Sequence, residues 1–194
     1  MMKLMLIRHA DSLQEGSDPQ LSDIGKIQAK LLAKKLMNIP IKYVYVSDLK
    51  RTVQTFEEYS KLAKGVSFEK TDKIREIYRV IVGCDPKPGT SENREQKDKE
   101  RIENFIDNLV SKESEEIIAL FTHGNVIKYI ISKFLDSNPV NVGPHLSIIA
   151  SSFSLINFDA GKADIKFINN IEHLTNENSS TSYFFKTKED NYLP

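Results

Sequence analysis

The 194-residue chain is predicted to adopt an α/β fold in which helices wrap a parallel sheet. Short apolar segments typical of buried strands alternate along the sequence with segments of helical periodicity. Two of these strands, at residues 3–8 and 117–121, are followed closely by histidines, His9 and His123. Because ligands bind at the carboxyl ends of parallel strands, the two histidines predict a site at one edge of the sheet.

The first half of the chain supplies two helices and the second strand. Ser22 caps the first helix and Pro40 ends it. Its apolar residues recur at helical spacing: Ile24, Ile27, Leu31, Leu32 and Leu36. Residues 41–46 are β-rich and predict a strand, and residues 47–48 predict a turn and N-cap for a helix over about 49–62.

The second half continues the alternation after an irregular stretch. A short strand is predicted at 66–68, and residues 72–92 form a loop long enough to suggest a function. A charged helix is predicted over 93–110, with one apolar face formed by Ile102, Phe105, Ile106 and Leu109. Another helix is predicted over about 126–135, directly after the strand that precedes His123.

The end of the chain changes character. Two β-rich segments, 148–158 and 163–167, flank residues 159–162 and predict a β-hairpin. From residue 175 the sequence is rich in Asn, Ser, Thr, Glu and Lys. We therefore expect one folded domain over residues 1–174 and a polar, partly ordered tail over 175–194.

Composition narrows the function classes. The apolar content of 40% and the charged content of 28% are ordinary for one globular domain. Lys+Arg and Asp+Glu both number 27, so the net charge of zero gives no bias toward nucleic acid or an acidic membrane. One cysteine, Cys84, leaves no internal disulfide, and neither a membrane span nor a signal peptide is recognisable. We expect a cytoplasmic protein.

The residues at the predicted sheet edge suit chemistry on a phosphate group. A neutral imidazole is a nucleophile at pH 7 when its other nitrogen donates to a backbone carbonyl, and His9 suits that role. Arg8 and Arg51 would supply forked donors that match phosphate oxygens. His123 would complete the pocket, with Gly124 allowing close approach of the backbone.

A leaving alkoxide needs a proton, so a carboxylic acid is expected nearby. Glu76, at the start of the irregular loop, is the best candidate, and Asp11 is the second. Each of these residues taken singly has a plain structural interpretation, and only the joint pattern predicts the chemistry. His145 and His173 lack such contexts and are interpreted as structural.

Two further interpretations stay open. The same fold could serve as a phosphate-binding regulatory module, although both arginines, both histidines and an acid are present. The second interpretation is a metallohydrolase with His9, Asp11 and His123 as metal ligands. The sequence has no dense His/Asp cluster, and an arginine beside a ligand would repel a cation. We therefore expect no metal and no cofactor.

Four motifs, in order, resemble those of the histidine phosphatase superfamily, in its phosphoglycerate-mutase-like branch. The matching segments are Arg8-His9, the Leu-Ser-x-x-Gly-x-x-Gln-Ala of 21–29, the Ser-x-x-x-Arg-Thr-x-Gln-Thr of 47–55, and His123-Gly124. Ala10 replaces the usual glycine and Thr52 the usual alanine. Together the motifs span roughly residues 4–135.

The resemblance implies a three-layer α/β/α sandwich with a mostly parallel central sheet. It implies a metal-independent phosphatase that forms a phosphohistidine on His9 and uses Glu76 as proton donor. Arg8, Arg51 and His123 would form the rest of the phosphate pocket.

Within the family the chain is most similar to the phosphoglycerate-mutase-like Ser/Thr protein phosphatases. The similarity includes the His-x-Asn-Val-Ile-x-Tyr stretch of 123–129, which adds Asn125 to the residues expected near the phosphate or substrate. A true mutase is disfavoured because the chain is short and has no tryptophan for the Trp-Glu-Gly segment.

The expected substrate is a phosphorylated small molecule or a phosphoprotein, and phosphohistidine hydrolysis is a variant of the same reaction. The 10–20 and 77–92 loops would set substrate choice. Basic residues in and beside the second loop favour an acidic substrate: Lys73, Arg75, Arg79 and Lys87. The sequence leaves the oligomeric state open.

Overall fold

The computed structural model describes residues 1–85, 93–111, 115–135, 137–159, 162–175 and 178. The elements in this part of the chain are β1 (Met2–Arg8), α1 (Asp23–Leu36), β2 (Ile41–Ser47), α2 (Lys50–Leu62), β3 (Ser67–Thr71), a 3-10 helix (Arg79–Val82), α3 (Asn93–Val110), β4 (Ile117–Thr122), α4 (Gly124–Phe134), α5 (Pro139–Val142), β5 (Phe153–Asp159) and β6 (Lys162–Asn170). No helix among these residues is both long and apolar enough to span a membrane.

The strands form one mixed sheet in the order β3-β2-β4-β1-β5-β6. β3, β2, β4 and β1 are parallel, and the hairpin of β5 and β6 adds two antiparallel strands beside β1. Arg8 at the end of β1 is in register with Thr122 at the end of β4. His9 and His123 therefore leave the sheet side by side, as predicted from the two strand ends.

Helices cover both faces of the sheet, and this confirms the predicted α/β/α sandwich. Because side chains alternate along a strand, Leu4 and Leu6 of β1 face one core while Met5 and Ile7 face the other. The first core includes apolar residues of α3 and α4, and the second includes those of α1 and α2. The predicted apolar face of α3 is buried in full.

Helix α1 begins as predicted but buries a different face. The hydroxyl of Ser22 accepts a hydrogen bond from the Gly25 N–H at 3.0 Å. Ile24 and Ile27 are 44% and 51% exposed, so the apolar spacing that predicts the helix does not by itself identify its buried face. The buried face is small or polar instead: Gly25, Gln28, Ala29, Leu32, Ala33 and Leu36. It is set by close packing of Gly25 on the loop after β1 and by hydrogen bonds of the Gln28 amide.

The predicted N-cap of α2 at 47–48 is also wrong. The N-cap is Leu49, which makes no side-chain capping bond. The Ser47 hydroxyl lies 2.8 Å from Nε2 of His123. The Asp48 carboxylate instead accepts two hydrogen bonds from Arg75, at 2.6 and 2.5 Å. Both potential capping side chains are thus engaged with other residues around the sheet edge.

Other boundaries differ by a few residues. α4 begins at Gly124, two residues before the predicted start, and β5 begins at Phe153 rather than 148. The short helix α5 was not predicted. The hairpin turn at 160–161 lies outside the described residues, as do 86–92 of the long loop and all of the predicted tail except Thr175 and Asn178.

Candidate active site

His9 is held at the end of β1 with one ring nitrogen committed. Its backbone N–H donates to the Thr122 carbonyl at 3.0 Å, which locks the residue to the neighbouring strand. Its Nδ1 lies 2.7 Å from the Ala10 carbonyl oxygen. Because a carbonyl can only accept, Nδ1 carries the proton, and the lone pair lies on Nε2. This is the tautomer that a nucleophilic histidine needs.

Arg51, at the start of α2, joins the two histidines. Its Nε donates to Nε2 of His9 at 3.2 Å, and its Nη2 lies 3.1 Å from Nδ1 of His123. A guanidinium has no acceptor, so Nδ1 of His123 accepts and its Nε2 carries the proton. The ring centroids of His9 and His123 are 5.2 Å apart in an edge-on arrangement. One guanidinium therefore sets the orientation of both rings.

The far side of His123 is bound by hydroxyl groups. Its Nε2 is 2.8 Å from the Ser47 hydroxyl and 3.3 Å from the Thr52 hydroxyl. Thr52, which stands where the family motif has alanine, thus adds a second polar neighbour to this ring. These contacts fix the plane of an imidazole that is fully buried.

Arg8 and the start of α4 form another wall of the site. Nη1 of Arg8 donates to the Ile148 carbonyl. A Cβ added at Gly124 would lie 3.5 Å from Nε of Arg8, an ordinary van der Waals separation, so no protein contact there requires glycine. The side chain of Asn125 lines the same cavity, while its backbone N–H binds an acid.

That acid is Glu76, whose Oε1 accepts from the Asn125 N–H at 3.1 Å. Its loop is tied to β4 because the Thr122 hydroxyl donates to the Ile74 carbonyl at 2.8 Å. It is tied to α3 because the Asp98 carboxylate accepts from the Tyr78 N–H at 2.9 Å. Glu76 is therefore held firmly at the cavity wall.

Asp11, the second candidate for the acid, is engaged elsewhere. Its carboxylate accepts from the Ser22 hydroxyl at 2.5 Å, at the start of α1, and it is not among the described residues that line the cavity. The metallohydrolase interpretation would need Asp11 grouped with His9 and His123. No group of three or more His, Cys, Asp or Glu in the described ranges could hold a metal ion.

Burial shifts the pKa of the acid of the site and the pKa values of its two histidines in opposite directions. Burial lowers the pKa of His9 well below its usual value, and the charges of Arg8 and Arg51 lower it further. Burial likewise lowers the pKa of His123. Burial raises the pKa of Glu76, although Arg8 and Arg51 act against that shift. The site thus favours neutral imidazoles and shifts the Glu76 carboxyl toward its protonated form.

His9, Arg8, Arg51, Glu76 and Asn125 line one cavity of about 500 Å³, and the buried His123 contacts Arg51 without being part of that lining. Its walls come from the loop after β1, the starts of α2 and α4, residues 75–79, and Arg94 of α3. The 10–20 loop and the first residues of the 77–92 loop line it. Lys73 lies in a different groove, and Lys87 is outside the described residues.

Two residues at or beside the cavity were not among the predicted site residues. Arg94 binds Asp98 at 3.0 Å, an (i, i+4) ion pair that the sequence of α3 could have suggested. The hydroxyl of Thr55 accepts from the Ala10 N–H at 3.0 Å, beside His9. Thr55 belongs to a matching motif, but nothing in its own pattern shows which group it binds.

Comparison with known proteins supports the family that the sequence motifs resemble. The family model of the histidine phosphatase superfamily (branch 1) matches residues 4–81 and 83–171. The chain belongs to this superfamily. Its membership confirms the predicted family and the predicted enzyme class, a phosphatase that acts on phosphoric monoesters.

Two relatives show how far the similarity extends. The chain is 28% identical over 155 residues to the probable phosphatase C1687.21 of Schizosaccharomyces pombe, covering 70% of this chain and 74% of that protein. It is 30% identical over 151 residues to the mitochondrial serine/threonine-protein phosphatase PGAM5 of Mus musculus, covering 70% of this chain and 51% of that protein. The match thus spans about half of the mouse protein.

Among solved structures, YhfR of Bacillus stearothermophilus superposes with a TM-score of 0.73 at 18% identity. The superposition covers 89% of this chain and 99% of YhfR. At that identity the likeness supports the fold alone.

Proposed function

We propose that this phosphatase hydrolyses phosphomonoesters without a metal, through a phosphohistidine on His9 and with Glu76 as the proton donor. The observation that carries the proposal is the state of His9. Its Nδ1–H is held by the Ala10 carbonyl, and its Nε2 lies at the cavity with the Arg51 guanidinium 3.2 Å away. A phosphoryl group on Nε2 would lie within hydrogen-bond distance of that guanidinium.

The proposed reaction has two steps. Nε2 of His9 attacks phosphorus, the bond from phosphorus to the ester oxygen breaks, and the Glu76 carboxyl gives its proton to the leaving oxygen. A water molecule then attacks the phosphohistidine and passes a proton to the Glu76 carboxylate. Nε2 leaves with its electron pair, and inorganic phosphate is released. Arg8 and Arg51 donate to the phosphoryl oxygens in both steps, and the neutral His123 accepts from the Arg51 guanidinium and holds it in place.

The pKa shifts predict a bell-shaped pH profile. Activity falls as the pH drops through the lowered pKa of His9, because the nucleophile becomes protonated. Activity also falls as the pH rises through the raised pKa of Glu76, because the acid loses its proton. Glu76→Gln should therefore lose the alkaline limb and keep the acidic one.

The first experiment is hydrolysis of p-nitrophenyl phosphate in EDTA by the wild type, His9→Ala and His145→Ala. His145 is exposed and outside the cavity, so His145→Ala is the matched control. We expect turnover in the wild type and the control and none in His9→Ala. A folded wild type without turnover between about pH 5 and 8 would favour the phosphate-binding module instead.

A second measurement separates the roles of His9 and Glu76. Glu76→Gln should lower kcat/KM, which reports formation of the phosphohistidine, by about 10²–10⁴-fold on an alkyl phosphate and far less on p-nitrophenyl phosphate, whose leaving group needs no proton. Rapid acid-free quenching and intact mass should show one phosphoryl group on wild type and none on His9→Ala. Equal losses on both substrates would remove Glu76 from the role of proton donor.

The extent of the catalytic domain, its location and its kind of substrate are also part of the proposal. We infer a catalytic unit over residues 1–174 that acts in the cytoplasm on a phosphorylated small molecule or a phosphoprotein, without nucleic acid or membrane. The single cysteine of the chain supports the cytoplasm. The name of the mouse relative supports a phosphoprotein, and the size of the cavity supports a small molecule.

A further inference from the structure

The cavity holds more positive charge than one phosphoryl group needs. Within the described part of the chain, its lining includes five arginines and one acid: Arg8, Arg51, Arg75, Arg79, Arg94 and Glu76. The first two lie beside His9 and are assigned above to the phosphoryl group. The other three come from residues 75–79, which also carry Glu76, and from the start of α3, and the proposed reaction gives these three arginines no role.

Two of these three arginines already have acidic partners. Both oxygens of the Asp48 carboxylate bind Arg75, at 2.6 and 2.5 Å, so this charge is neutralised within the protein. Arg94 binds the Asp98 carboxylate at 3.0 Å. The same carboxylate binds Arg101 at 2.7 Å, so one negative charge serves two guanidinium groups.

Arg79 differs from both. It forms no ion pair with any acid in the described ranges, and its Nε is buried with no hydrogen-bond partner. Buried donors are nearly always satisfied, so an unsatisfied one at a cavity wall calls for an external acceptor.

We propose that Arg79, assisted by Arg94, binds a carboxylate of the substrate, so that the enzyme prefers a small phosphorylated carboxylic acid. The proposal rests on the function proposed above. A guanidinium fork matches a carboxylate, and one unpaired guanidinium balances one negative charge. A second phosphate would bring a charge of about −1.5 to −2, more than this wall offsets. A cavity of about 500 Å³ is large enough to enclose a small phosphorylated carboxylic acid.

The test compares two substrates that differ by one carboxylate, O-phosphoserine and O-phosphoethanolamine. Arg79→Met removes the charge at similar length, and Arg79→Lys keeps the charge. Lys73→Met is the matched control, because Lys73 is an exposed cation nearby that lies outside this cavity. The measured quantity is kcat/KM for each pair.

We expect the wild type and Lys73→Met to prefer O-phosphoserine by about tenfold or more, the usual effect of one charge-assisted hydrogen-bonded pair. Arg79→Met should lose that preference with little change on O-phosphoethanolamine, and Arg79→Lys should recover part of it. Equal kcat/KM for the two compounds in the wild type would overturn the proposal. So would an equal loss on both compounds in Arg79→Met, since that is the result of a structural role.

Two further measurements separate the possible failures. Calorimetric binding of both compounds to His9→Ala tests the carboxylate site without turnover, so it decides the matter even if the proposed reaction is wrong. A phosphoserine peptide with acidic flanks tests the size of the substrate. If the peptide outperforms O-phosphoserine and Arg79→Met removes that advantage, the preferred substrate is a phosphoprotein and the proposal of a small acid fails.

Discussion

Thr55→Val should weaken both the fold and the reaction, although it changes almost no volume. The buried Thr55 hydroxyl accepts from the Ala10 N–H at 3.0 Å and donates to the Arg51 carbonyl at 2.7 Å. Both side chains are branched at Cβ, so the substitution leaves helix α2 undisturbed. It leaves the Ala10 N–H buried without an acceptor. Since the Ala10 carbonyl holds the His9 ring, the nucleophile should lose its orientation as well.

The magnitude follows from the unsatisfied donor. A buried N–H that loses its partner costs about 1–3 kcal/mol of folding free energy. For a chain of this size that corresponds to a fall in Tm of about 2–4 °C per kcal/mol. The Arg51 carbonyl still accepts its helical hydrogen bond, so we assign most of the loss to Ala10. Misplacement of His9 should lower kcat further than the loss of stability explains.

The assay is urea unfolding together with p-nitrophenyl phosphate turnover, for Thr55→Val, Thr55→Ser and Ser60→Ala. Ser60 lies on the same helix and its hydroxyl donates to the Glu57 carbonyl at 2.9 Å, but at an exposed position. We expect Ser60→Ala to stay within about 0.5 kcal/mol of wild type and Thr55→Ser to restore most of the loss. If Thr55→Val were as stable as Ser60→Ala, the proposed coupling of Thr55 to the His9 segment would be wrong.

The remaining predictions concern stability. Burial lowers the pKa of His173 to about 4. Since the folded state then binds fewer protons than the unfolded chain below about pH 6.5, stability falls as the pH drops toward 4. His173→Gln should remove up to about 3 kcal/mol of that loss, measured by urea unfolding at pH 7 and 4.5. Gly25→Ala should unfold the protein, because its Cβ would lie 1.9 Å from the Asp11 carbonyl oxygen; Gly124→Ala, with an ordinary 3.5 Å contact, should fold, as circular dichroism would show.

The sheet and the edge that carries the candidate site could be predicted because the signals are local. An apolar run that stops at Arg8-His9 marks both a buried strand and its carboxyl end, and the run before His123 does the same. Parallel pairing then forces the two ends together, as the register of Arg8 with Thr122 confirms. Glu76 is a candidate because of its chemistry and its place after an arginine, which are weaker signals, and the structure places it in the wall of the cavity.

The features of the fold and of the site that the sequence did not predict depend on contacts between segments that are distant in the sequence. Ser47 and Asp48 look like capping residues, but the structure places them on His123 and Arg75. Ile24 and Ile27 have helical spacing, yet packing of Gly25 decides which face of α1 is buried. No local pattern shows that Arg75 has an acidic partner and that Arg79 has none within the described chain.

The charges of Arg8 and Arg51 link the acid and the base of the proposed reaction. At His9 the charges of Arg8 and Arg51 add to the effect of burial, and both lower the pKa. At Glu76 the same charges oppose burial, which raises the pKa. Loss of the Arg51 charge would therefore raise both pKa values. Both limbs of the pH profile would move toward alkaline pH, so the charges of Arg8 and Arg51 together set the position of the active range while burial of the two groups sets its width.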